Sequence, residues 1–167
     1  MSRLELAISQ IKRVRKYSMR LLENTNPDEW FQQPTEGVTH IAWQAGHLAM
    51  AEYRLALERI RGKLPEDKDI IPDDFIACFR RETEPVPDPS LYPTPARILV
   101  VMDRVHQQVL RELKTMSDEA LDSAPMPPVH PLFDTRLGAL LWCAQHEMLH
   151  AGQIGLLRRL LGHLPLW

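Results

Sequence analysis

His146 and His150 stand four residues apart in the stretch Cys143-Ala144-Gln145-His146-Glu147-Met148-Leu149-His150. On a helix that spacing stacks the two imidazoles on one face, where they can share one ion. Neutral imidazole is a borderline ligand that suits zinc, nickel, iron or copper. The chain has seven histidines, so one such pair arises readily by chance and needs support from its surroundings. The pair lies in an apolar segment, where an imidazole without a strong partner is costly to bury. Cys143 and Gln153 fall within one to two turns on the same face, which makes that face a polar stripe. His47 sits in a second apolar segment, between Ala45 and the run Leu48, Ala49 and Met50. Three histidines from two facing helices leave coordination positions open for water or substrate, the pattern of a catalytic site and not of a closed structural one.

His146-Glu147-Met148-Leu149-His150 also matches H-E-x-x-H, in which the glutamate of a metalloprotease activates a metal-bound water. That class needs a further ligand downstream, yet no Asp or Glu follows Glu147, and His163 lies beyond the helix stop expected at Gly162. The protease reading is therefore set aside. Glu147 keeps two open roles: a general base, or a carboxylate that orients the other ring nitrogen of a ligand histidine. Gln153 offers a similar orienting role. His40 shares a face with His47, but near a helix start a surface imidazole is favoured over one lining a pocket. Cys143 reads as a small core residue in preference to a ligand. Packing is the default for Trp43 and Met50. His106, His130 and His163 receive no role, and the basic stripe of the first helix reads as a solvated face.

Four long helices are expected to position these residues. In the first, Leu4, Ile8, Ile11, Val14 and Leu21 keep helical spacing, and Ser2 with Glu5 forms a capping box. A short turn at Pro27–Phe31 follows, capped by Asn26. The second long helix spans about Thr39 to Arg61, with Gly62 as its stop. From Gly62 to Thr94 the chain carries six prolines (65, 72, 85, 87, 89 and 93) and one short helical candidate at Asp73–Arg81. This stretch reads as a long crossover, which lets the second and third long helices run in the same direction. The third begins at the Thr94-Pro95 cap and continues to about Lys114. After a short helix at Ser117–Leu121 and a proline-rich loop, the last helix runs from about Thr135 to Leu161. Being apolar on most of its circumference, it is expected to be the most buried of the four.

The composition fits that picture. A chain of 167 residues, 44% hydrophobic and 25% charged, is ordinary globular material sized for one domain over residues 1–167. A net charge of −2 argues against nucleic acid or an anionic membrane as partner. Two cysteines, Cys78 and Cys143, give no disulfide framework and point to a reducing compartment. Charges interrupt the apolar residues at the N-terminus, so it does not read as a signal peptide, and no segment nears the roughly 18 apolar residues of a membrane span. A cytoplasmic protein is expected.

The segments Trp43-Gln44-Ala45-Gly46-His47-Leu48 and His146-Glu147-Met148-Leu149-His150-Ala151-Gly152-Gln153-Ile154, with the following Leu157-Arg158-Arg159-Leu160-Leu161-Gly162, resemble the DinB-like (YfiT-like) superfamily. The resemblance spans nearly the whole chain, the proline-rich crossover included. It implies a four-helix bundle in up-down-down-up order, with a three-histidine metal site whose ligands fall on His47, His146 and His150. It further implies one divalent ion, zinc or nickel, a small-molecule substrate, and a homodimer. Members include metal-dependent hydrolases and S-transferases of low-molecular-weight thiols, so the expected activity is activation of a thiol or water, with thiol transfer slightly preferred by analogy. The competing reading is a non-catalytic metal-binding bundle with a role in stress response. The dimer has its own basis, because the second and fourth long helices are apolar beyond the single stripe that one bundle core covers.

Overall fold

The computed structural model describes residues 1–166. Within them the architecture is all-α, with one isolated bridge between His130 and Phe133 as the only extended pairing. Helix α1 is Arg3–Glu23; Ser2 accepts from the Glu5 N–H and the Glu5 carboxylate accepts from the Ser2 N–H, closing the capping box. Its buried stripe of Leu4, Ala7, Ile11, Val14, Leu21 and Leu22 faces the core. Helix α2 is Ile41–Tyr53, and it runs without a break through a π-helical segment, Arg54–Glu58, into a last turn, α3, Arg59–Arg61. Gly62 stops it at φ 89°, a conformation that is open to glycine at no steric cost.

Helix α4, Asp73–Cys78, is shorter than the spacing predicts, because Phe79 turns out of helical geometry into the core. Helix α5, Pro95–Leu113, starts at the Thr94 cap, and α6, Arg136–Leu160, starts at Thr135, whose hydroxyl accepts from the Gly138 N–H. Among the described residues no helix is long and apolar enough to cross a membrane.

Burial ranks the helices differently from their composition. All thirteen residues of α2 are buried, since α4, α5 and α6 all pack against it. Helix α6 packs mainly on α1 and α2 and leaves Met148, Leu149, Leu156 and Leu160 exposed. Counting apolar residues cannot separate a helix enclosed on all sides from one with an apolar surface stripe. The central helix is therefore α2.

Polar cross-links set the register of the bundle. Glu52 of α2 meets His106 of α5 at 2.7 Å, and Arg61 meets Glu112 further along at 2.8 Å, so these two helices advance together. Arg158, near the end of α6, donates to Thr25 and to the Asn24 carbonyl just past α1, at 2.9 Å each. Arg15 departs from the solvated stripe expected of α1. It is buried, and its guanidinium reaches Glu147 of α6 at 2.8 and 3.0 Å, Glu52 of α2 at 2.8 Å and the Met102 carbonyl of α5 at 3.1 Å. One side chain thus touches all four long helices. Its burial is tolerable because two carboxylates and a carbonyl replace the water it gives up.

Candidate metal centre

Helix α2 carries His47 seven residues after its N-cap, and that cap is itself a histidine. His40 is fully buried, against the expectation of a surface imidazole, and its Nδ1 accepts from the Trp43 N–H at 3.1 Å. Burial holds its pKa down to about 4, so the ring stays neutral and can serve as the acceptor that this position requires. One turn further on, the Trp43 indole stacks on His47 with ring centroids 4.7 Å apart and planes 12° from parallel. Trp43 is in turn held by donating to the Thr83 hydroxyl at 2.8 Å.

Three histidines meet between α2 and α6. The ring centroids of His47 lie 5.3 Å from His146 and 4.7 Å from His150, and those of His146 and His150 are 4.4 Å apart. One nitrogen from each ring lies within 4.8 Å of the others, a set that could hold a metal ion. Hydrogen bonds orient two of the rings. His47 Nδ1 donates to the Phe79 carbonyl at 2.9 Å, and His150 Nδ1 donates to Gln44 Oε1 at 2.5 Å. With Nδ1 carrying the proton, the Nε2 lone pair is left free on each.

His150 Nε2 then faces His146 Nε2 at 3.2 Å. That contact calls for a shared proton or a cation. The spacing matches the edge of about 3.3 Å that tetrahedral coordination with zinc–nitrogen bonds of roughly 2.0–2.1 Å requires. Burial lowers the pKa of His47, that of His146 to about 4 and that of His150 to about 3. Each ring is therefore neutral near pH 7, as a ligand must be. By donor type, tautomer and spacing the residues fit a divalent ion.

The cluster opens on a cavity of about 750 Å³ between the π-helical segment of α2, the proline-rich loop and α6. Trp43, Leu55 and Trp142 supply apolar wall, while Arg54, Glu58 and His130 supply polar groups. Arg54, Leu55 and Glu58 of the π-helical segment all line the cavity, continuing the face of α2 that carries Trp43 and His47. Arg59 anchors the opposite wall by donating to the Met126 and Pro128 carbonyls.

Glu147 does not join the histidines. It sits between them in sequence but about 80° around the helix from their mean direction, given 3.6 residues per turn. Both of its oxygens bind Arg15, it is buried, and it does not line the cavity. The base and orienting roles expected of it therefore find no geometric basis. Gln153 is exposed and orients nothing, whereas Cys143 is a core residue beside the Arg15 network, its thiol pushed well up by burial. The orienting groups that sequence reasoning missed are Gln44 and the Phe79 carbonyl. Gln44 left a readable trace, a glutamine in an otherwise apolar helix three residues before a candidate ligand. A carbonyl leaves none.

A helical bundle with a histidine cluster on two facing helices and an adjoining cavity defines the class. The model of the DinB superfamily matches residues 10–154, a span that includes all three histidines, and the chain belongs to that superfamily. No curated protein matches it.

Proposed function

We propose that the chain is a metal-dependent enzyme that holds one divalent ion, zinc or nickel, through His47, His146 and His150 and uses it on a small-molecule substrate. The observation that carries this reading is the convergence of three neutral imidazoles on the edge of an open cavity, with ring orientation secured by Phe79 and Gln44. An ion held there would supply Lewis acidity toward a thiol or water, which fits S-transfer of a low-molecular-weight thiol or hydrolysis. The protein's own part is to keep the ligands deprotonated, to shield the centre with Trp43 and Trp142, and to accept the released proton. Glu58 and His130 are the titratable cavity residues outside the triad, and they take that last role in place of Glu147.

The decisive experiment is metal analysis of protein purified without a chelating resin, followed by a screen that measures thiol consumption with a panel of electrophiles. Stoichiometric metal, lost together with turnover in His150→Ala, is the expected result. Wild-type protein that binds zinc no more tightly than His150→Ala would end the proposal. Retained metal without turnover would favour the non-catalytic bundle.

A further inference from the structure

We propose that the cavity beside the histidine cluster selects substrates carrying a carboxylate, bound by Arg54 and Arg81, with an apolar body lying along Leu55 and Trp142. The inference rests on the preceding reading for the location of the chemistry, but its own basis is the arginines. Unpaired cations are common on the outer surface of the bundle, but the arginines around the cavity differ from those that hold the fold together. Arg3, Arg15, Arg61 and Lys63 form ion pairs, Arg158 binds Thr25 and Asn24, and Arg59 is spent on two carbonyls of the proline-rich loop. Arg54 and Arg81 both line the cavity, and among the described residues neither makes a hydrogen bond nor lies within 4.0 Å of a carboxylate.

Arg54 opens the π-helical segment and is half-buried, whereas Arg81 lines the same cavity from an exposed position. Glu58 shares the wall and Glu82 follows Arg81 in the chain, so the surroundings of the cavity are not uniformly positive. Neither acid is paired with these two arginines. A guanidinium held at an apolar cavity wall binds a carboxylate through two parallel N–H···O bonds that water contests less well than at an open surface. The cavity, at about 750 Å³, lies within the usual range for sites that enclose a small molecule.

The test compares 3-phenylpropionate with its uncharged isostere 3-phenylpropionamide by isothermal titration, using both metal-free and zinc-loaded full-length protein. The acid should bind at least about tenfold more tightly than the amide in both forms, since a charge-assisted pair is worth roughly twice a neutral one. That preference should disappear in Arg54→Gln/Arg81→Gln, while zinc affinity and the thermal midpoint stay near wild type. Equal affinity for acid and amide, binding of neither, or a preference that survives the double substitution would each overturn the assignment. Zinc affinity is measured separately against His150→Ala, so failure of the metal reading is told apart from failure of carboxylate selection.

Discussion

At the scale of single residues, the proposed centre depends on groups beyond the three histidines. Gln44 holds His150 by its Nδ1, so Gln44→Leu should leave the helix intact while releasing the ring. A loss of roughly 10–100-fold in zinc affinity is expected, the usual effect of removing an orienting partner; competition with a chromophoric chelator measures it. His40 makes a separate prediction about pH. Its folded pKa is held near 4, against an ordinary 6.5. Between these values the unfolded chain takes up a proton that the folded chain refuses, so stability rises with pH across the window and is lost as pH falls from about 6.5 towards 4. His40→Asn keeps a capping acceptor and removes the titrating ring. Its urea midpoint should fall less between pH 7 and pH 5 than that of the wild type, and an unchanged difference would show that His40 contributes nothing.

At the scale of elements, two features fix the setting that the histidines need, one between α2 and the end of α4, the other between α2 and α6. Gly46 lies against the Phe79 ring so closely that an added Cβ would overlap it, and Phe79 is fully buried with little room to move. Gly46→Ala should cost about 1–3 kcal/mol through overpacking. It should also weaken metal binding, because Phe79 supplies the carbonyl that orients His47; denaturation and zinc titration of the same variant check both effects. Arg15 is the second feature. Arg15→Met strands the buried Glu147 carboxylate and leaves buried Glu52 with His106 alone, and a loss of about 3–5 kcal/mol is expected. Neutralising them as well, in Arg15→Met/Glu52→Gln/Glu147→Gln, should recover much of it, as a denaturant midpoint would report. Glu147→Gln accordingly belongs with stability variants: its effect should appear in the midpoint while the metal affinity of the folded protein stays the same.

At the scale of the whole molecule, the exposed face of α6 raises the question of assembly. Leu149, Leu156 and Leu160 share one side of that helix and are about half exposed. Gly152 lies between them with open space above it. An apolar stripe on a helix whose other side is packed supports a homodimer through α6. Light scattering at tens of micromolar should give twice the chain mass, and Leu156→Glu should give the single mass. A monomeric wild type would remove the dimer and leave the stripe as ordinary surface.

The pattern of apolar residues, the caps at Ser2 and Thr94 and the stop at Gly62 were enough to place the long helices, because each signal acts within a few residues of itself. The spacing of His146 and His150 was local in the same sense, and with His47 it marked the candidate centre. Tertiary structure decided what local spacing cannot express. Glu147 follows a candidate ligand directly, yet the direction of its side chain turns it to Arg15, which is distant in sequence and adjacent in space. Gln44 and the Phe79 carbonyl reach the histidines only because α2, α4 and α6 pack together. His40 and Arg15 are buried because neighbouring elements close over them, and no periodicity in their own helices records which face will be covered.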